Sequence, residues 1–408
     1  MAVDAQNASP LVLVTCSGRD TPGITAELTG ILASSGAKIV DIGQAVLHGW
    51  LSLSMLFEPT DKGSNTTSGV VDRLLEKARE LGLKMEHRSL QPQDLENGSL
   101  SRASYRYALT LIAPEIPART LHAVTQFLAQ QHINIDVIER LSEGPFGCVE
   151  MLVSSRQEVN QRAVKLALLE IARNENVDIA LQAEGLYRRA KRLIVFDMDS
   201  TLIQSEIIDE FAREMGVYDD VALITHQAMS GKIPFGQALQ MRVSKLKGLT
   251  LEQMEAVFAR TLLTPGAEDL IRVLQSLGYR IALISGGFSC IADRLKSKLG
   301  IHYAYANHLV FKDGICTGEI KPPIVDALRK ADLMELIAQQ ESIGLDQVIA
   351  VGDGANDIPM LEKAGLGIAF NAKPSVSERA DLALSQKNLK TILYLLGISG
   401  RDLPSVLA

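Results

Sequence analysis

Cysteine, tryptophan and long apolar runs are what this 408-residue chain has little of. Its four cysteines, at 16, 148, 290 and 316, are scattered without the spacing of a zinc site or a disulfide framework. A disulfide-stapled secreted fold is therefore not expected, and a reducing cytoplasm is. Although 47% of the residues are hydrophobic, no apolar stretch approaches the roughly 20 residues that span a bilayer. The first residues lack the basic, apolar and small-residue pattern of a secretory signal. Basic blocks are absent as well, and the net charge of −7 speaks against a nucleic-acid partner. It does not oppose a phosphate substrate, because a bound metal and one lysine can set the local field. The length leaves room for two or three domains with proper cores.

What is present starts with Val195-Phe196-Asp197-Met198-Asp199-Ser200-Thr201. An apolar strand, Leu193 to Phe196, ends in two carboxylates two residues apart, where open α/β sheets bind their ligands. Two more buried strands end in the same manner. Arg280 to Ile284 runs into Ser285-Gly286-Gly287-Phe288, and Val348 to Val351 runs into Gly352-Asp353-Gly354-Ala355-Asn356-Asp357. A helical stretch from Val325 to Gln340 lies between them, and Lys321, Arg329 and Lys330 compete as its functional cation.

This set resembles the haloacid dehalogenase superfamily of phosphatases, over about Lys191 to Leu396. Asp197, Asp199 and Thr201 match its first motif, Ser285 the second, Lys330 the third, and Asp353 with Asn356 and Asp357 the fourth. Within the superfamily the phosphoserine phosphatases are most similar. They share Ser200-Thr201, Glu206, Met241-Arg242-Val243-Ser244, Lys247-Gly248 and Ser285-Gly286-Gly287-Phe288. The resemblance implies that Asp197 is a nucleophile forming an aspartyl-phosphate and that Asp199 is general acid, then base. It implies Mg²⁺ held by Asp197, the carbonyl of Asp199 and Asp353. Ser285, the amides of Gly286 and Gly287, Lys330 and Asn356 would hold phosphate or serine. Asp357 would orient Lys330 or a water, with Thr201 in a supporting place.

Between Thr201 and Ser285 there is space for a cap. Ile207, Ile208, Phe211 and Met215 share a helical face, as do Phe235, Leu239, Val243 and Leu246. A helical bundle over the strand ends, about 203–265, would exclude water. By resemblance Glu206 takes the substrate ammonium and Arg242 its carboxylate, a bidentate pairing lysine cannot copy. Phe235 either packs over the substrate or is ordinary core.

Residues 1 to about 184 read as an internal repeat of strand, helix, strand, strand, helix, strand. The first unit is Leu11–Cys16, Pro22–Ser35, Ile39–Leu47, Leu51–Phe57, Gly69–Leu81 and Leu83–Leu90. The second is Tyr105–Ile112, Ala118–Gln131, Ile133–Leu141, Cys148–Ser154, Val159–Arg173 and Val177–Ala183. Thr21 before Pro22 looks like a helix start. A loop is expected at 61–67 and a linker at 91–104. The βαββαβ order predicts ferredoxin-like layers, and the sequence resembles ACT domains, modules that bind amino acids. Gly18-Arg19-Asp20-Thr21-Pro22-Gly23 carries that resemblance, with Gly18 and Asp20 as regulatory candidates. The second unit has Ala113-Pro114-Glu115-Ile116-Pro117 instead, lacking the glycine pair. Dimerisation through exposed sheet edges competes with ligand binding.

The expectation is thus an α/β chain with a Rossmann-like parallel-sheet phosphatase core and inserted helical cap, behind two ferredoxin-like ACT layers. The expected boundaries are 1–95, 104–184 and 185–408. Phosphoserine is the expected substrate, an amino acid such as L-serine the expected effector, and a homodimer the expected assembly. Competing readings are a phosphatase of the same superfamily acting on another phosphomonoester or phosphoprotein, or a non-enzymatic amino-acid sensor.

Overall fold

The computed structural model describes residues 11–60, 67–91, 105–142, 146–229 and 232–403, and the expected loop and linker fall almost wholly outside them. The chain divides into two compact units, Met1–Arg102 and Ala103–Ala408.

In the first unit β1 (Leu11–Arg19), α1 (Ile24–Ser34), β2 (Lys38–Leu47), β3 (Trp50–Glu58), α2 (Thr67–Glu80) and β4 (Lys84–Leu90) follow the expected order. The sheet is antiparallel, ordered β2-β3-β1-β4. Alternation along β1 and β3 turns Val12, Val14, Cys16, Leu51, Leu53, Met55 and Phe57 onto Leu28, Leu32 and Leu74 of the helices. Thr21 is not the helix start. Gly23, at φ 102°, occupies the cap position, a left-handed conformation that suits glycine, so the helix begins at Ile24. Gly18 lies within β1 and not in the connection after it. A Cβ there would sit 2.6 Å from Leu83 Cδ2, so any larger residue must displace that side chain. Asp20 is exposed, and its amide donates to Gly49 O.

The second unit opens with the same order: β5 (Tyr105–Ala113), α3 (Ala118–Gln130), β6 (Asn134–Arg140), β7 (Gly147–Ser155), α4 (Gln161–Glu175) and β8 (Asp178–Ala183), in a sheet ordered β6-β7-β5-β8. It continues into β9 (Leu193–Phe196) and four helices, α5 (Ile207–Glu214), α6 (Tyr218–Met229), α7 (Phe235–Ser244) and α8 (Leu251–Arg260). Then come α9 (Ala267–Ser276), β10 (Arg280–Phe288), α10 (Ser289–Leu299), the hairpin β11 (Tyr303–Lys312) and β12 (Ile315–Lys321), and α11 (Ala327–Gln340). Last are β13 (Val348–Gly352), α12 (Ile358–Lys363), β14 (Leu366–Phe370) and β15 (Leu382–Leu384).

The large sheet is ordered β12-β11-β10-β9-β13-β14-β15, parallel except for β12. Every residue of β9 is buried, as a central parallel strand covered on both faces must be. The four helices α5 to α8 leave and rejoin the core through a two-stranded neck, where Gln204 N donates to Leu262 O and Thr264 N to Leu202 O. Their apolar faces (Ile207, Phe211, Leu239, Val243, Met254, Val257) join the same core as the sheet, and the Phe211 and Phe288 rings stack at 5.9 Å. The β11–β12 hairpin, which the periodicity did not announce, is stitched to this bundle. Gly248 N donates to Cys316 O at 2.9 Å and Cys316 N to Leu249 O at 2.8 Å.

The second ferredoxin-like layer is joined to the flank of the large sheet. The Asp178 carboxylate accepts from Ser385 N, Ser385 Oγ and Gln386 N just after β15. Gln182 Nε2 donates to Leu395 O at 3.0 Å, and Gly400 N to Leu141 O at 2.7 Å. Arg188, almost wholly buried, pairs with Glu150 and Glu184.

Candidate active site

Register sets the site. Phe196 pairs with Leu283 of β10 on one side and Val351 of β13 on the other. The residues after each therefore emerge together: Asp197, then Ser285 two positions beyond Leu283, and Gly352-Asp353 beyond Val351. Asp197 N is fixed by Val351 O at 2.9 Å. Beyond it the chain makes a tight turn over Met198–Leu202, in which Ser200 adopts φ 57°. Left-handed backbone at a non-glycine residue is uncommon and gathers at functional sites. The turn brings Asp199 back, where Oδ1 accepts from Ile207 N at 3.1 Å, and lets Thr201 Oγ1 donate to Asp353 Oδ1 at 2.9 Å.

Lys330 settles which cation serves this cluster. It is 0% exposed, whereas Lys321 and Arg329 are exposed. Its Nζ donates to Asp197 Oδ1 and to Asp357 Oδ1, both at 2.7 Å. Burial opposes its charge, yet the two carboxylates prevail and hold its pKa up. Asp357 Oδ2 accepts from Gly354 N at 3.0 Å, so Asp357 braces both the lysine and the turn after β13. Asn356 is half-buried beside Gly354 and does not cap α12, whose cap position is Asp357.

One lysine does not balance the acids. Burial first, then Asp357, pushes Asp197 up to about 8 despite Lys330. Burial and Asp357 push Asp353 up to about 7. Asp199 is raised well above the usual carboxylate range by burial, Glu206 and Asp197. A raised carboxyl pKa suits a group that must donate a proton.

Ser285 is buried, and its Oγ accepts from Gly287 N at 2.8 Å. The Gly287 amide, expected to face a ligand, is thus engaged within the turn. Gly287 is glycine by necessity, since a Cβ would meet Asp199 Oδ2 at 2.6 Å and Met198 Cε at 2.7 Å. A Cβ on Gly286 would lie 3.5 Å from Phe235 Cζ, so the ring reaches down from the helical bundle onto this turn while also packing against the core. Glu206 is exposed and accepts from Ser200 Oγ at 2.8 Å. Arg242 is largely withdrawn from solvent, and burial lowers its pKa against the pull of Glu206, Asp209 and Asp199. Its Nε is buried without a hydrogen-bond partner among the described residues, as is that of Arg188. Sequence reasoning passed over Asp209, a third acid beside Arg242, because on a first helical turn it resembles any other helix-start acid.

Comparison with known proteins agrees with this architecture. The haloacid dehalogenase-like hydrolase profile matches residues 194–362, and ACT domain profiles match 10–88 and 107–182. A phosphoserine phosphatase of Streptomyces coelicolor is 39% identical over 98% of this chain and 96% of its own length. One from Mycobacterium tuberculosis is 38% identical over 95% and 93%. The chain belongs to the phosphoserine phosphatase family. Among solved structures, a HAD family hydrolase from Salmonella enterica serovar Typhi superposes with a TM-score of 0.63 at 30% identity, covering 71% of this chain and 98% of that one.

The donor set fits a hard divalent cation. Carboxylate oxygens of Asp197, Asp353 and Asp357 lie within 4.8 Å of one another, and Thr201 already orients Asp353. All are oxygen ligands of the type Mg²⁺ prefers, in a pocket whose negative charge exceeds its positive. No helix among the described residues is long and apolar enough to cross a membrane.

Proposed function

We propose that the protein hydrolyses O-phospho-L-serine to L-serine and inorganic phosphate with Mg²⁺, in L-serine biosynthesis. The observation carrying this reading is the meeting of Asp197, Lys330, Asp357 and Asp353 beneath a helical bundle that presents Glu206 and a part-unpartnered Arg242. Asp197, the Asp199 carbonyl and Asp353 would hold the ion, which when bound neutralises the carboxylates and the phosphoryl oxygens.

An Asp197 oxygen attacks phosphorus as the bond to the serine oxygen breaks. Asp199, protonated through its raised pKa, gives its proton to that departing oxygen. The carboxylate it becomes then takes a proton from water, whose oxygen attacks the aspartyl-phosphate, releasing phosphate and restoring Asp197. Lys330 holds Asp197 in place and offsets charge on the transferring group. Ser285, Gly286 and Asn356 line the phosphoryl position, with Thr201 and Asp357 supporting the acids. Glu206 takes the substrate ammonium, Arg242 the carboxylate, and Phe235 closes over the side chain.

The division we propose is 1–95, 104–184 and 185–408, with the cap over about 203–265. An amino-acid effector such as L-serine acts through the ACT layers, with Gly18 and Asp20 at the β1–α1 end as its candidate contacts. A homodimer is favoured by β2, an edge strand exposing Ile39, Val40, Ile42 and Val46. Cys16, Cys148, Cys290 and Cys316 are free thiols, which suits the cytoplasm. Steady-state phosphate release from phosphoserine, with and without Mg²⁺, tests the reading. No turnover with metal present overturns it. Titrating L-serine against rate and melting temperature tests the effector, and no shift in either removes it.

A further inference from the structure

Asn307, on β11, is a polar side chain at 0% exposure. Its neighbours explain how it is satisfied. Nδ2 donates to Gly286 O at 2.8 Å, and Oδ1 accepts from Val325 N at 2.8 Å. Gly286 is the middle of the Ser285-Gly286-Gly287 turn. Val325 stands immediately before Asp326, whose side chain caps α11 by accepting from Arg329 N. That helix carries Lys330 onto Asp197 and Asp357.

Gly286 falls at a break in the ladder, and Val325 outside any element. The β10–β11 register shifts between Ile284 and Phe288, so the ladder skips the turn. Val325 lies between the end of β12 and the start of α11, outside both elements. One amide therefore clamps the Ser285–Gly287 turn to the segment that leads into the Lys330 helix. A carboxamide suits the task because it offers a donor and an acceptor on one rigid plane. Burying it is favourable only with both bonds made.

We infer that Asn307 is a positioning residue for phosphate recognition, fixing the Ser285–Gly287 turn relative to the Lys330 helix. The inference rests on the phosphatase reading above. Asn307 touches neither substrate nor metal ligand; it acts through Gly286 and Val325. Loss of the clamp lets the turn and the helix shift independently, and a misplacement of about 1 Å in a catalytic arrangement is worth on the order of 100-fold in rate.

The test uses the full chain, with inorganic phosphate as competitive inhibitor of phosphoserine hydrolysis. In Asn307→Ala, the inhibition constant for phosphate is expected to rise about tenfold, with kcat/KM falling by roughly 10- to 100-fold. A residue that only stabilises the fold lowers the active fraction and leaves that constant unchanged. Asn307→Asp sharpens the point. Its ionised form keeps the acceptor for Val325 N and loses the donor to Gly286 O. Its protonated form restores both, and burial raises the pKa of the introduced carboxyl. Activity of Asn307→Asp relative to wild type is therefore expected to rise as pH falls from 8 to 6 (about that range). A phosphate inhibition constant unchanged in both variants, with a flat activity ratio, overturns the inference. Absence of phosphoserine turnover in the wild type overturns the underlying reading instead.

Discussion

The mouth and the flank of the large sheet both bury charge, and they treat it in opposite ways. At the flank, beside β15, Asp178 receives three donors from Ser385 and Gln386, and Arg188 is enclosed by Glu150 and Glu184. Each charge there has partners of the opposite kind, although burial still raises the Asp178 pKa and Arg188 Nε makes no hydrogen bond among the described residues. At the mouth, Asp197, Asp199, Asp353 and Asp357 crowd around a single lysine, and two of them are pushed up to about 8 and about 7. Arg242 above them keeps a buried Nε without a partner among the described residues. Paired burial joins two layers, whereas acids crowded on one lysine leave negative charge for an ion and a substrate to meet.

The comparison breaks first at Asp197. Asp197→Asn is expected to lower kcat by on the order of 1,000-fold or more, because no nucleophile remains. Its melting temperature without metal should stay close to wild type, since relief of repulsion offsets the weaker contact to Lys330. Turnover at the normal rate would refute the assignment. Next, Arg242→Ala should lower kcat/KM for phosphoserine by about 100-fold while lowering that for a small aryl phosphate less than about tenfold. Equal losses would remove Arg242 from substrate recognition.

The flank predicts the reverse pattern. Asp178→Ala strands the amides of Ser385 and Gln386 and should cost about 1–3 kcal/mol of stability, read by denaturant unfolding, with kcat for the folded enzyme intact. A large kcat loss without destabilisation would mean the flank is not merely a joint. The smallest effect concerns pH. Asp197 and Asp353 bind protons more tightly in the folded metal-free protein than in the unfolded chain. Stability without metal should therefore fall as pH rises from the ordinary carboxylate range, about 4, towards about 8. Mg²⁺ must displace those protons, so its apparent affinity and its thermal protection should grow from pH 6 to pH 8 (roughly that span). Protection independent of pH would place the ion elsewhere.

The two ferredoxin-like layers show where sequence reading stops. Their helices and strands were legible because alternation and helical periodicity are local, and the same order repeats. The attachment of the second layer was not announced. Edge strand β8 presents Asp178 and Gln182 to the phosphatase sheet, while its counterpart β4 carries Lys84, Glu86, His87 and Arg88 into solvent. The contrast in side chains was visible, but its meaning depends on where β15 lies. Likewise Thr21 before Pro22 predicts a helix start, and the left-handed turn at Gly23 moves it to Ile24. Residue type alone did not separate Lys330 from Lys321 and Arg329; the spacing of the family motif selects Lys330, and it is the buried one of the three. Asn307 carried only a faint signal, an amide beside His308 in a largely apolar strand.

The sequence by itself determined that apolar strands end in Asp197, Ser285 and Asp353, because strand burial and turn chemistry are encoded over a few neighbouring residues. Tertiary structure alone decided that Thr201 reaches Asp353, that Lys330 bridges Asp197 and Asp357, and that Asn307 ties Gly286 to Val325. Those contacts join residues 18 to 152 positions apart. Hydrogen bonding at that separation follows from strand order and register, which no local pattern of residues specifies.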